Sequence, residues 1–255
     1  MKIATWNVNS LNVRLPHVLQ WLNEHQPDVL ALQELKLDQD KFPHEAIRAA
    51  GFQAAWYGQK TYNGVAIIAR ETPQDVVYGM ADFEDPQRRV IAATVNGVRI
   101  VNAYCVNGEA VGSEKFAYKK QWFAALQGCL KAELAAHEAL VLLGDFNIAP
   151  SDADVYDPKK WHEKILCSSE ERAWFQALLD LGLHDALREL NPHEPLFTWW
   201  DYRMNGFKRD LGLRIDHVLL SEKLMAQAHS YGIDRAARAA ERPSDHAPVW
   251  VQLRA

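Results

Sequence analysis

Hydrophobic positions along this chain switch between helical and strand spacing, and the switches predict strands and helices in alternation. Residues 2–6 read as a short strand. Leu15, Val18, Leu19 and Leu22 then fall at i, i+3, i+4 and i+7, one apolar face of a helix, and residues 28–32 return as a buried strand. The opening is β-α-β. Residues 64–69 and 90–95 are apolar runs of strand length, and Asn96-Gly97 ahead of residues 98–104 is the two-residue signal of a type I′ hairpin. That places an antiparallel section in a mixed sheet. Phe116, Phe123, Leu126, Leu130 and Leu134 mark a long helix, residues 139–143 a strand, and Trp174, Leu178 and Leu181 another helix. Residues 215–220 and 247–253 close the chain as strands. Residues 151–169 are polar and aperiodic, with Asp152, Asp154, Asp157, Lys159 and Lys160, and are expected to form a surface loop.

Composition narrows the picture. With 48% hydrophobic residues the chain has enough apolar surface for a substantial core, which excludes a disordered or collagen-like protein. No Pro/Gly/Ser-rich linker divides it, so one domain over residues 1–255 is expected. The three cysteines, Cys105, Cys129 and Cys167, form neither a disulfide framework nor a CxxC zinc knuckle. The first residues lack the apolar core of a signal peptide, and no apolar run approaches a membrane span. A cytoplasmic monomer with no membrane partner is expected.

The polar residues are informative by position. Asn7, Glu34, Tyr104, Asp145 with Asn147, Asp216, and Asp245 with His246 each lie at an end of an expected strand, where layered α/β folds gather ligand-binding groups. Taken singly, each is an ordinary turn or surface residue. Taken together, Glu34, Asp145, Asp216 and Asp245 make a pocket that repels itself unless a divalent cation occupies it. All-oxygen ligation points to Mg²⁺ or Mn²⁺ rather than zinc. His246 beside carboxylates completes an acid-base pair, and a hard cation with imidazole, amide and phenol donors suits phosphoryl chemistry.

Asn7-Val8-Asn9-Ser10-Leu11, Leu32-Gln33-Glu34-Leu35-Lys36, Gly144-Asp145-Phe146-Asn147, Trp199-Trp200-Asp201-Tyr202-Arg203 and Pro243-Ser244-Asp245-His246-Ala247-Pro248 resemble, in order, the motifs of the exonuclease III family, the bacterial DNA-repair branch of the endonuclease/exonuclease/phosphatase superfamily. The resemblance implies a DNase I-like four-layer α/β sandwich, two packed mixed β-sheets flanked by helices. It also implies metal-dependent hydrolysis at 3′ ends of duplex DNA, at nicks and at abasic sites. Carried over by motif, Glu34 is the main metal ligand with Asn7 beside it, and Asp245 is a further metal contact. Asp145 orients or deprotonates the attacking water, Tyr104 and Asn147 contact the scissile phosphate, and Asp216 pairs with His246. Asn107, Trp199, Arg203, Asn205, Phe207 and Leu213 are the expected substrate-binding residues.

Two departures stand out. Val106 replaces a proline usual before the Asn107 position, and Leu213 stands where many abasic-site-cleaving members carry a tryptophan. Leu213 is either a harmless apolar substitution or the mark of a pocket that fits an abasic nucleotide poorly, biasing the enzyme toward 3′ termini.

The net charge of -5 argues against a polyanion partner only if charge is evenly spread. Four of the acids are those assigned to the metal-centred site. Residues 201–214 instead carry Arg203, Lys208, Arg209 and Arg214 among aromatics, and Lys115, Lys119 and Lys120 form another basic cluster, both read as phosphate-tracking surface. A small-molecule or lipid phosphodiesterase of the same superfamily, and a non-catalytic DNA-binding module, are the rival readings. The repair-branch motifs speak against the first, and the retained carboxylates and His246 against the second.

Overall fold

The computed structural model describes residues 1–254. Its elements follow in chain order as β1 (Lys2–Asn7), α1 (Leu11–His25), β2 (Val29–Gln33), α2 (His44–Ala49), β3 (Gln53–Tyr57), β4 (Val65–Ala69), β5 (Gln74–Tyr78), β6 (Val90–Val95), β7 (Val98–Tyr104), α3 (Glu114–Ala136), β8 (Leu140–Asp145), α4 (Pro158–Trp161), α5 (Ser169–Leu179), β9 (Leu183–Asp185), α6 (Ala186–Leu190), β10 (Trp199–Trp200), β11 (Gly212–Leu213), β12 (Asp216–Ser221), α7 (Glu222–Met225), β13 (Ala228–Ile233), α8 (Arg235–Arg238) and β14 (Val249–Leu253). No helix among the described residues is long and apolar enough to cross a membrane.

Two six-stranded mixed sheets form, one ordered β13-β14-β1-β2-β4-β3 and the other β5-β6-β7-β8-β12-β9. Strand periodicity explains the layering. Ile3, Val29, Ala31, Val65 and Ile67 of the first sheet face Ile91, Ala93, Ile100, Val141, Leu143, Val218 and Leu220 of the second in one shared core. Their chain neighbours point outward: Ala4, Leu30, Leu32 and Ile68 meet Val18 and Leu22 of α1 and Ile47 of α2. On the opposite flank Val101, Leu140, Leu142 and Leu219 meet Phe123, Leu126 and Leu130 of α3 and Phe175 and Leu178 of α5. The result is the expected four-layer α/β sandwich.

The Asn96-Gly97 hairpin forms as expected, with φ of 50° and 74°, the pair of positive values a type I′ turn requires. Residues 151–169 do not form a plain surface loop. They contain a 3₁₀ turn at Asp152–Asp154, helix α4 and the start of α5, and they bury Asp154 completely. Asp154 accepts from Arg214 Nε at 2.7 Å, while Arg214 Nη1 and Nη2 reach Asp185 at 2.9 and 2.8 Å. Burial opposes the Asp154 charge, but Arg214 and Arg188 outweigh it and hold its carboxyl at about 2. Arg214 is therefore a core cation and not part of a phosphate-tracking surface. The same correction applies to Lys119, which is fully buried against Glu171.

One backbone approach fixes the register near the rim of the second sheet. Gly144, at φ 142°, lies so close to β7 that an added Cβ would meet the Ala103 carbonyl oxygen at 1.9 Å. Gly144→Ala is expected to destabilise the fold by at least ~3 kcal/mol, since backbone and not a flexible side chain is in the way. Thermal unfolding of the variant checks this; a melting temperature near that of the parent would contradict it.

Candidate active site

The C-terminal ends of β1, β2, β7 and β8 and the start of β12 meet at one rim of the sandwich. Across the second sheet, Tyr104 stands opposite Asp145, and Asp145 opposite Asp216. Across the first, Asn7 stands opposite Gln33, with Glu34 next in the chain. His246 comes from the turn before β14 and is held by backbone pairing with Trp199 and by Trp6 Nε1, which donates to its carbonyl at 3.2 Å. Ser244 Oγ donates to the Asn7 carbonyl at 2.6 Å and accepts from the His246 N–H at 3.2 Å, so this turn is stitched to β1. Glu34 and Asn147 both adopt left-handed backbone, φ 54° and 51°, a strain that persists only where surrounding bonds impose it. Around Glu34 those bonds run from Leu35 N–H to the Gly64 carbonyl and from Lys36 N–H to the Asn63 carbonyl.

The side chains form one connected network. Asn7 Nδ2 donates to Glu34 Oε1 at 2.8 Å and to Asp145 Oδ2 at 2.9 Å. The Tyr104 hydroxyl donates to Glu34 Oε1 at 3.0 Å, and Lys36 Nζ lies 3.0 Å from Glu34 Oε2. The Asn147 N–H donates to Asp145 Oδ1 at 3.0 Å, its Nδ2 donates to the Cys105 carbonyl at 3.0 Å, and its Oδ1 accepts from Asn107 Nδ2 at 3.1 Å. One amide hydrogen of Asn147 is left over. His246 Nδ1 donates to Asp216 Oδ2 at 2.8 Å, and its Nε2 faces Asp145 Oδ2 at 3.7 Å. Thr198 Oγ1 donates to Asp216 Oδ2 at 2.7 Å while accepting the N–H groups of Ile215 and Asp216, both at 3.1 Å.

Burial and charge set the protonation states. Desolvation disfavours the imidazolium of His246, but the adjacent Asp216 and Asp145 charges outweigh it and hold His246 up at about 10. Burial pushes the Asp145 carboxyl up to about 7, with the His246 cation opposing the rise and Asp216 adding to it. Burial, with Glu34 adding, raises the Tyr104 phenol well above its ordinary range, so it remains a donor. At neutral pH the rim thus carries a cationic His246 and an acceptor carboxyl poised near neutrality.

Glu34, Asp145 and His246 each offer an atom within 4.8 Å of the others. A protonated His246 has no lone pair for a metal, which leaves Glu34 and Asp145 oxygens, with the Asn7 amide beside them. This hard-oxygen set fits a divalent cation of the Mg²⁺ or Mn²⁺ kind. The structure does not bring Asp245 into this group. Its Oδ1 accepts from Asn9 Nδ2 at 3.1 Å and its Oδ2 from Trp199 Nε1 at 3.0 Å, so in this arrangement it fixes Trp199.

The expected substrate residues divide. Asn107, Arg203 and Asn205 are exposed, although Arg203 is paired with Asp201, and Trp199 lines a cleft of about 1,090 Å³. Trp161, Lys159, Lys160, Met204 and Arg209 line the same cleft. Leu213 has no exposed surface: it backs Trp199 across a two-stranded pairing and is not a contact surface. Phe207 is half-buried against Trp200 and beneath the Arg235 and Arg238 guanidiniums, anchoring the loop whose exposed tip is Met204. Thr198, Ser244 and Lys36 were not singled out from the sequence. Thr198 precedes the Trp199-Trp200 pair by one residue, and Lys36 and Ser244 lie inside quoted motifs, which is the only signal that marks them.

The chain matches the Endonuclease/Exonuclease/phosphatase family over residues 4–246. It is 40% identical to exodeoxyribonuclease III of Haemophilus influenzae, with both chains covered in full. A 3′ phosphatase from Neisseria, NExo, solved bound to a product DNA hairpin, is 60% identical and superposes with a TM-score of 0.99 over the whole of both chains. An AP endonuclease from Archaeoglobus fulgidus is 36% identical with a TM-score of 0.96, again over both whole chains.

Proposed function

Since this chain belongs to the exonuclease III family of endonuclease/exonuclease/phosphatase hydrolases, we propose that it repairs DNA by hydrolysing phosphate esters at 3′ ends of duplex DNA, acting as a 3′-phosphatase and 3′-5′ exonuclease. The observation that carries this reading is the buried chain Thr198, Asp216, His246, Asp145 at the strand ends. It puts a cationic donor and an acceptor carboxyl on one small rim, as phosphoryl transfer to water requires.

Asp145 takes the proton of the attacking water, because its carboxyl titrates near neutrality and its other contacts, from Asn7 and the Asn147 N–H, hold it in place. His246 Nε2–H donates to a non-bridging phosphate oxygen, and the free amide hydrogen of Asn147 donates to another. Tyr104 and Asn7 orient Glu34. Glu34, with Asp145 and Asn7 near it, would hold Mg²⁺ or Mn²⁺, which when bound supplies charge neutralisation at the leaving oxygen. Exposed Lys159, Lys160 and Arg209 beside the Trp199 cleft meet the DNA backbone, so binding is salt-sensitive and largely independent of sequence.

Substrate preference within this reading favours 3′ termini over internal abasic sites. Leu213, where the resemblance places an aromatic wall, lies buried behind Trp199 and offers no wall to the cleft, and the 60%-identical Neisseria relative is a 3′ phosphatase. The Archaeoglobus relative, an AP endonuclease, keeps abasic incision as the second activity to compare. Rates of phosphate release from a nicked duplex ending in 3′-phosphate are expected to exceed incision at an internal abasic site by at least about tenfold, the scale set by a poorly fitted extruded nucleotide. Faster abasic incision would overturn the preference.

A further inference from the structure

Lys119 lies in the apolar stripe of α3 and has no exposed surface, and neither has its partner Glu171 in the first turn of α5. Such a pair is not a route to stability in itself. Desolvation of two ions offsets their attraction, and an apolar pair of similar volume often does as well. What an apolar pair lacks is hydrogen-bond donors. The ammonium has three, and all are used: one to the Glu171 carboxylate, one to the Asn107 carbonyl at 3.0 Å and one to the Asn147 carbonyl at 2.8 Å.

Those carbonyls belong to the segments that follow β7 and β8 and whose side-chain amides meet at the rim. Glu171 is fixed in turn. Its Oε1 accepts from Leu166 N–H at 3.0 Å, and its Oε2 from the N–H and hydroxyl of Ser168 at 3.2 and 2.7 Å, as the reciprocal half of a capping box. Gly108, next to Asn107 and at φ 89°, packs on the lysine stem so closely that a Cβ there would meet Lys119 Cδ at 3.0 Å.

Resting on the reading of Asn147 as a phosphate contact, with Asn107 holding its amide oxygen, we infer that Lys119 is a positioning residue for the reaction. From behind the site, out of reach of substrate, it sets the separation of the two amide-bearing loops. The Lys119→Met/Glu171→Gln double variant removes the donors without stranding a buried charge. Misplacement of the loops by about an ångström predicts a kcat on the nicked 3′-phosphate duplex reduced roughly 30- to 100-fold, with KM within about threefold of the parent. Glu171→Gln alone strands the buried lysine but leaves its nitrogen, which even as a neutral amine has two N–H donors, on both carbonyls; it should lower thermal stability at least as much as the double variant while losing about tenfold less kcat. Equal kcat losses in the two variants, or a folded double variant with parental kcat, would overturn the proposal. If the double variant does not fold, Lys119→Leu/Glu171→Gln, which likewise has no donor at position 119, takes its place under the same criteria, and parental kcat there overturns the proposal equally. A parent enzyme inactive on this duplex would instead reject the functional reading, which separates the two failures.

Discussion

Asp145→Asn is expected to lower single-turnover phosphate release by about 10⁴-fold, the upper range for a lost general base, while leaving DNA affinity within a few-fold. The substitution is nearly isosteric and keeps an acceptor for the Asn147 N–H, now 3.0 Å from Asp145 Oδ1. It removes the carboxylate that accepts the water's proton and sets two amide NH₂ groups, of Asn7 and the new Asn, against each other at a 2.9 Å contact. The basic residues around the Trp199 cleft, to which backbone binding is assigned under the proposed function, are untouched. Rapid-quench kinetics and fluorescence anisotropy on the same duplex separate the two effects. Near-parental turnover in the variant would remove Asp145 from the role of base.

Asp216→Asn should reduce turnover at neutral pH by roughly 10²-fold and change the shape of the pH profile. Asp216 and Asp145 keep His246 protonated to about pH 10 in the parent. The folded pKa is raised, so the stabilisation from the charged pair is complete below the ordinary histidine value of about 6.5 and is lost as pH rises through about 10. The alkaline limbs of both activity and stability therefore lie near that value in the parent. In the variant, burial acts with one opposing carboxylate fewer, and the alkaline limb of activity moves toward neutrality. An unshifted limb would mean that His246 does not act as a cation.

The sandwich was legible where burial is one-sided or complete. β6 and β7 fall where the apolar runs and Asn96-Gly97 put them, and β1, β2, β4, β8, β12 and β14 begin or end within a residue or two of expectation. β3, β5, β9 and β13, the four sheet edges, were missed because they are short or little buried, so none carries a clear period-2 signal. The site was legible as a set of strand-end polar residues, because register converts such positions into neighbours: Tyr104, Asp145 and Asp216 are aligned across three adjacent strands. Charge was less legible. Lys119 and Arg214 read as surface because a sequence shows a charge but not the distant partner that allows its burial, here Glu171, 52 positions away, and Asp154, 60 positions away. Asp245 lies near the site as its motif implied, yet Asn9 and Trp199 hold its carboxylate outside the tight group of Glu34, Asp145 and His246.

Hydrolysis of DNA 3′-phosphate esters at this rim, with a divalent cation on Glu34, can be followed as phosphate release from a nicked duplex ending in 3′-phosphate. The reaction is followed with Mg²⁺, after chelation, and after Mg²⁺ is restored, in the parent and in Glu34→Gln. The predicted result is release that stops on chelation, returns with Mg²⁺, and needs a much higher Mg²⁺ concentration in Glu34→Gln. Release that continues in chelator, or a Glu34→Gln enzyme with the parent's Mg²⁺ dependence, would contradict it.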